Sequence, residues 1–215
     1  MSYVLVINTI SLTPDAKDRS NPWVGGATYS ERAWTMCNLV LPWYHAFNLF
    51  DDIVVTGVYV PGPGYRYIHV PEVYGNVNDI LIQRQAGFDA TMGDANDWVV
   101  YLNDDTMWDM TNPVPLRDDP NGVLSPSRWS RGRTTQGEAL NDGSEGGYVQ
   151  LHGTMMKRWA TKRVPWTSLP PREPGREASG LDITLTEALG KAGVPGRYAP
   201  EYKVWDIERW AQPWR

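Results

Sequence analysis

Two adjacent carboxylates follow an apolar segment in the middle of this chain. Residues 99–102 form an uninterrupted apolar run, and Asn103, Asp104 and Asp105 come directly after it. A run without polar alternation predicts a parallel strand covered on both faces, and in open α/β sheets ligands bind beyond the carboxyl ends of such strands. Because neighbouring carboxylates repel each other, they favour Mg²⁺ or Mn²⁺, with a diphosphate as anionic partner. The same residues are also typical of a turn that ends a strand.

The first half of the chain is predicted to contain three strands with helices between them. The strands are Tyr3–Asn8, residues 53–60 and the acidic strand itself. One helix is expected from residue 28, where Thr-Tyr-Ser-Glu fits a capping box, with Pro42 bending or ending its first segment. A second helix and turn are expected over residues 78–95. This βαβαβ order predicts parallel pairing with right-handed crossovers.

The second half has a less regular pattern. Short strands are predicted at residues 122–125 and 148–151, and the proline-rich residues 164–180 are expected to form a loop. Residues 181–192 have helical periodicity, and Gly193 is placed to end that helix. The length of 215 residues favours one α/β domain.

The composition is that of an ordinary globular protein. Hydrophobic residues make up 41% and charged residues 21% of the chain. No apolar run approaches the ~20 residues that a membrane span needs, and the amino terminus leads directly into a predicted strand. A cytoplasmic location is therefore expected, with no membrane partner. The single cysteine, Cys37, excludes an internal disulfide and is expected to pack in the interior.

Charge is distributed unevenly along the chain. Residues 1–110 contain five Lys or Arg and thirteen Asp or Glu, whereas residues 111–215 contain fifteen and twelve. Within the basic half, Lys157 and Arg158 are candidates for contacts with phosphates, and Trp129 and Trp159 for stacking on a base or a sugar. A solvated, arginine-rich loop would have the same pattern.

The order of four segments resembles that of the GT-A glycosyltransferases, especially the family 2-like group. The segments are QRQAG at 83–87, NDDT at 103–106, GTMMKR at 153–158 and LDITL at 181–185. The resemblance covers about residues 2–199. It implies a single GT-A (Rossmann-like) domain with a mostly parallel central sheet flanked by helices. Residues 1–110 would be the nucleotide-sugar-binding half and residues 111–215 the acceptor-binding half.

The resemblance also implies donor-binding residues. Asp105 takes the place of a Mn²⁺ or Mg²⁺ ligand, and Asp104 that of a residue facing the donor sugar or ribose and the metal. Asn103 stands where many members have Asp and is expected to hydrogen-bond the donor. Thr9, at the end of the first strand, takes the place of a base contact. Arg84 takes the place of a helix residue that contacts the donor, with a UDP-sugar as the expected donor.

The catalytic position of the family falls on Asp182, although Leu181 replaces the Glu that usually precedes it. A carboxylate there would deprotonate an acceptor hydroxyl during an inverting transfer, while a cation stabilises the departing diphosphate. His152 stands in for a carboxyl-terminal metal-binding His of the family. The alternative for Asp182 is a structural one, because Asp is also favoured at helix N-termini.

Two other function classes compete with this interpretation. Sugar nucleotidyltransferases have a glycine-rich loop after the first strand, and residues 8–12 contain no glycine. A non-catalytic carbohydrate- or nucleic-acid-binding module would use the tryptophans and arginines without needing the acidic strand end.

Compact glycosyltransferases that resemble this chain occur in bacteriophages, where a hydroxymethylated DNA base is one acceptor. The net charge of −5 argues against tight duplex binding, and sugar, lipid and protein acceptors stay open.

Overall fold

One mixed sheet runs through the described part of the chain. The computed structural model describes residues 2–9, 36–57, 65–71, 73, 78–104, 106–109, 118–130, 133–135, 149, 151, 153–171 and 181–206. The strands are β1 Tyr3–Asn8, β2 Asp52–Gly57, β3 Arg66–His69, β4 Trp98–Asn103, β5 Thr106–Trp108, β6 Val123–Ser130, β7 Arg133–Thr135, β8 Met155–Lys157 and β9 Gly196–Asp206. The helices are α1 Leu41–Phe47, α2 Asp79–Ala90, α3 Arg158–Arg163 and α4 Leu181–Lys191, with a π-helical turn Met36–Val40 and a 3₁₀ turn Trp166–Ser168.

The strand order is β3-β2-β1-β4-β8-β6-β9-β5, and β7 pairs with β6. The first four strands of this order are parallel. The βαβαβ pattern predicts this for β2, β1 and β4, whereas β3 is an additional strand. Beyond β4 the sheet is mixed, because β8 runs antiparallel to β4 and β6, and β5 antiparallel to β9. The prediction of an α/β fold with one central sheet flanked by helices is confirmed. The sheet is mixed: parallel pairing runs over β3-β2-β1-β4 and recurs between β6 and β9.

The central strands are covered on both faces, which is why their sequence lacks polar alternation. Every residue of β1 and of β4 is buried. On one face the core is built around Trp108, whose ring contacts those of Tyr3, Phe50 and Tyr202 at centroid distances of 5.2–5.8 Å. On the other face α2 and α4 pack against the sheet. A large share of the aromatic residues is therefore core.

Several predicted elements have different bounds in the structure. The predicted start of the first helix lies outside the described residues, and Pro42 sits in the first turn of α1, where its missing N–H costs little. α2 ends at Ala90, before the predicted turn. The strand predicted at 148–151 is wrong for Val149 and Leu151, neither of which is in a strand. The prediction that Gly193 ends the last helix is confirmed. The helix α4 ends at Lys191, and Gly193 has a positive φ of 62°. No helix among the described residues is long and apolar enough to cross a membrane.

Two helical glycines give a direct test of this packing. A Cβ added at Gly87 would lie 2.4 Å from Val6 Cγ1 and 3.0 Å from Thr56 Cγ2, whereas one added at Gly190 would meet no atom within 4 Å. We expect Gly87→Ala to lower the free energy of unfolding by about 1–3 kcal/mol through overpacking. Gly190→Ala should raise it by about 0.5–1 kcal/mol. Urea unfolding measures both, and equal effects of the two substitutions would contradict the close packing of α2 on β1.

Candidate active site

The carboxyl ends of β1 and β4 lie at the point where the strand order of this sheet reverses. The space beyond these two ends is the β1–β4 crevice. From β1 the chain continues to β2 and β3 on one side, whereas β4 lies on the other side. In open α/β sheets such a switch point is where ligands bind. Asn8 and Asn103 are register partners at these ends, and Asn8 Nδ2 donates to Asn103 Oδ1 at 2.9 Å. The Asp104 N–H donates to the Asn8 carbonyl at 3.1 Å, so the ladder continues to the first carboxylate.

Arg84 of α2 lies beneath this pair of asparagines. Its Nε donates to Asn8 Oδ1 at 3.1 Å and its Nη2 to Asn103 Oδ1 at 3.2 Å. The same Nη2 donates to the Leu151 carbonyl at 2.5 Å. The side chain is 0% exposed. Arg84, which was expected to contact the donor, is therefore a buried residue whose hydrogen bonds hold the ends of β1 and β4.

Aromatic rings and charge complete the surroundings of the guanidinium. Its Cζ lies 4.8 Å from the centroid of Trp166 and 5.7 Å from that of Tyr101, both within the range of cation–π attraction. Burial lowers the pKa of Arg84 to about 10, against the opposing influence of Tyr101 and Asp182. The guanidinium is thus protonated at neutral pH and places a fixed positive charge beneath the site.

Asp182 is connected to the same network through Leu151. Asp182 lies in the first turn of α4, and its Oδ1 accepts a hydrogen bond from the Leu151 N–H at 2.6 Å. The carbonyl of Leu151 is the group that accepts from Arg84. Hydrogen bonds to the two backbone groups of Leu151 therefore connect the β1–β4 ends to the Asp182 carboxylate.

Thr9 is used to hold β1 against β2. Its N–H and its hydroxyl both donate to the Thr56 carbonyl, at 2.8 and 2.9 Å, and the residue is fully buried. The next residue of β2, Gly57, has φ at 129°, and a Cβ there would lie 2.0 Å from Thr9 Oγ1. The side chain expected to contact a base is thus turned into the sheet, and the tight approach depends on glycine at position 57.

The metal ligands expected from the sequence are described only in part. Asp104 is buried, 4% exposed, at the strand end. Asp105 and His152 lie outside the described residues. Among the residues that are described, no group of three or more His, Cys, Asp or Glu is arranged to hold a metal ion. Of the three expected metal ligands, the structure therefore describes only Asp104, at the strand end.

The basic residues singled out in the sequence lie at the opposite end of the sheet. Lys157 is the register partner of Trp98, at the amino end of β4, about 16 Å along the strand from Asn103. Lys157 Nζ donates to the Asp119 carbonyl, and Arg158 donates to the hydroxyl and carbonyl of Thr91. The structure therefore brings neither residue to the β1–β4 crevice.

Of the two tryptophans singled out in the sequence, only Trp159 has a described side chain. The Trp159 N–H donates to the Ala95 carbonyl, which places the residue at this amino end as well. Trp129 lies in β6, and its side chain is outside what the structure describes. Contacts of Lys157, Arg158 or Trp159 with an acceptor at the crevice have no support from this placement.

Asn8, Leu151 and Trp166 are components of the site that the sequence reasoning did not select. Asn8 had a recognisable signal, because it ends an apolar strand just as Asn103 does. Leu151 acts only through its backbone groups, and Trp166 only through its ring and its backbone N–H, which donates to Gln85. Neither role has a sequence pattern.

No protein-family model matches the chain, and no curated protein matches it. Solved structures match nearly all of it at low identity. TarS 1-349 from S. aureus in complex with UDP-GlcNAc matches with a TM-score of 0.57 and 10% identity, over 96% of this chain and 59% of that one. GalNAc-T7 with UDP, GalNAc and Mn²⁺ matches with a TM-score of 0.60 and 10% identity, over 97% and 44%.

A third match has a different chemistry. The 2-C-methyl-D-erythritol 4-phosphate cytidylyltransferase of Francisella tularensis matches with a TM-score of 0.52 and 8% identity, over 93% of this chain and 90% of that one. The chain spans about 60% of the length of the TarS chain. Identities this low establish a shared fold alone. The chain has an α/β fold that resembles GT-A glycosyltransferase domains such as those of TarS and GalNAc-T7.

Proposed function

We propose that this chain is a glycosyltransferase that moves a sugar from a nucleoside diphosphate sugar to an acceptor hydroxyl. The observation that carries the proposal is the hydrogen-bonded chain from the Asn8–Asn103 pair through Arg84 and Leu151 to Asp182. It connects the strand ends, where ligands bind in open α/β sheets, to the Asp182 carboxylate that we propose as the base. The fold similarity to TarS with UDP-GlcNAc supports a UDP-sugar as the donor.

In the proposed reaction Asp182 is the general base. The acceptor oxygen forms a bond to the anomeric carbon while the bond from that carbon to the diphosphate oxygen breaks, and its electron pair leaves with the diphosphate. The proton of the acceptor hydroxyl moves to Asp182. The first turn of α4 favours a negatively charged carboxylate at this position. Attack from the side opposite the leaving group inverts the anomeric centre.

Asp104, 4% exposed, is proposed to face the donor, beside Asn103 at the end of β4. A divalent cation, Mn²⁺ or Mg²⁺, held by Asp104 together with Asp105 and His152, would neutralise charge on the diphosphate. This part of the proposal is supported by the position of Asp104 at the strand end and by a fold neighbour solved with UDP and Mn²⁺. The buried guanidinium of Arg84 adds positive charge to the same edge.

The acceptor is proposed only as a hydroxyl compound. A hydroxymethylated DNA base stays among the acceptors to be tested, but two of the basic residues that favoured it, Lys157 and Arg158, are each 5% exposed. On α3, Lys162 and Arg163 are exposed. Candidate acceptors are therefore screened without preference for DNA.

Thermal unfolding with a panel of nucleotides tests the donor. UDP-, GDP- and dTDP-sugars are each added with Mn²⁺ and then with excess EDTA, beside CTP with Mg²⁺. At a hundred times its Kd, a donor that binds the folded state raises Tm by about 5–10 °C. A shift with one nucleotide sugar that EDTA abolishes supports the proposal. A shift with CTP alone would instead favour a nucleotidyltransferase, and no shift with any nucleotide sugar would contradict the proposed function.

A further inference from the structure

We propose that Arg84 is a positioning residue, which fixes the Asn8–Asn103 strand ends and the Leu151 backbone relative to one another and does not touch the donor. Its catalytic consequence rests on the proposed function, because the group that Leu151 orients is the Asp182 carboxylate. Its structural consequence, the fixing of Leu151, holds independently of any activity.

Burial excludes a direct contact between Arg84 and a ligand in this arrangement. The side chain is 0% exposed and lies against the rings of Trp166 and Tyr101. Its Nε and Nη2 donate to acceptors within the protein. The remaining nitrogen, Nη1, is buried without a hydrogen-bond partner. No nitrogen of the guanidinium is therefore both accessible and without an acceptor inside the protein.

The acceptors of Arg84 come from three separate parts of the chain. Asn8 ends β1, Asn103 ends β4, and Leu151 precedes β8. Leu151 is held on both sides, since its carbonyl accepts from Arg84 and its N–H donates to Asp182. Loss of the guanidinium would free the Leu151 carbonyl and with it one restraint on the orientation of the Asp182 carboxylate.

The geometry requires arginine and not simply a positive charge. A guanidinium presents its donors in a planar fork, so that Nε and Nη2 reach three acceptors at once. A lysine ammonium is a single point at the end of a flexible stem and cannot reproduce this fork. Arg84→Lys therefore separates the positioning role from a role in charge or packing alone.

The chain offers a matched control in Arg158. Like Arg84 it is buried, lies over an aromatic ring, here Phe88 at 4.7 Å, and donates to a side-chain and a backbone oxygen, both of Thr91. Its backbone N–H donates to the Asp97 carbonyl, just before β4, which places it at the amino end of that strand and away from the crevice. Arg158→Met thus removes a comparable buried arginine without touching the proposed positioning network.

The test measures amide exchange by NMR and steady-state kinetics on Arg84→Met, Arg84→Lys and Arg158→Met. In both Arg84 variants we expect the Leu151 amide to exchange more than about tenfold faster than global opening explains. We also expect kcat to fall about a hundredfold while KM for the donor changes less than about threefold. Arg158→Met should leave both the Leu151 amide and kcat close to the wild-type values.

Three results would overturn the proposal. The first is unchanged Leu151 exchange in both Arg84 variants, and the second is full activity of Arg84→Lys. The third is a rise in KM with unchanged kcat, which would indicate that Arg84 contacts the donor. If the wild-type protein turns over no nucleotide sugar, the proposed function fails, and the Leu151 exchange still decides the positioning role. Should Arg84→Met fail to fold, Arg84→Lys alone decides it.

Discussion

Asp182→Asn lowers kcat for sugar transfer by about 10³-fold and leaves the Kd of the donor within about threefold of the wild-type value. The amide retains an oxygen that can accept the Leu151 N–H, so the local structure is kept. It cannot take the proton of the acceptor hydroxyl. Release of nucleoside diphosphate from the nucleotide sugar measures kcat, with water or an added alcohol as acceptor, and calorimetry measures Kd.

Glu187→Gln is the matched control for Asp182→Asn. Glu187 is an exposed carboxylate on the same helix, α4, and its replacement removes the same charge without reaching Leu151. Its kcat should equal that of the wild type. Equal kcat for Asp182→Asn and Glu187→Gln would show that Asp182 is only a helix N-terminal residue and would remove it as the base.

Asp104→Ala weakens donor binding by about a hundredfold, because it removes the carboxylate that directly follows β4. The Asp104 N–H that donates to Asn8 is a backbone group and survives the substitution. Donor Kd is measured by calorimetry with Mn²⁺ and again with EDTA. In the wild type we expect EDTA to weaken binding, and in Asp104→Ala we expect EDTA to have little further effect.

The same experiment separates an enzyme from a binding module. A module that stacks sugars or bases on tryptophan does not need the acidic strand end, so Asp104→Ala would leave its affinity intact. Asp94→Ala serves as the control, since Asp94 is an exposed carboxylate before the amino end of β4. Undiminished donor affinity in Asp104→Ala would argue for the module and against the transferase.

The parts of the fold that depend on local pattern could be predicted from the sequence. The apolar runs of β1 and β4 identify buried parallel strands, and the periodicity of residues 181–192 identifies α4. The short strand β8 and the long strand β9 were not predicted, since they are specified by pairing with distant segments. β6, for example, pairs with β9 about 70 residues away in the chain.

In the candidate site, too, some residues could be placed from the neighbouring sequence, whereas the placement of others depends on contacts with distant parts of the chain. The position of Asn103 and Asp104 at a strand end follows from the apolar run before them. The charge pattern of Lys157 and Arg158 is typical of an exposed basic patch, yet both side chains are buried over aromatic rings. Burial of Arg84 is equally invisible in the sequence, because it depends on Trp166, 82 residues further along the chain.

Hydrogen exchange with and without a UDP-sugar and Mn²⁺ tests the central claim most directly, because it locates the ligand on the sheet. We predict slower exchange at residues 8–9, 103–104 and 151, and unchanged exchange at residues 94–98 and 157–163 at the other end. Protection confined to the amino end of β4, or no protection by any nucleotide sugar at saturating concentration, would contradict a donor site at the carboxyl ends of β1 and β4.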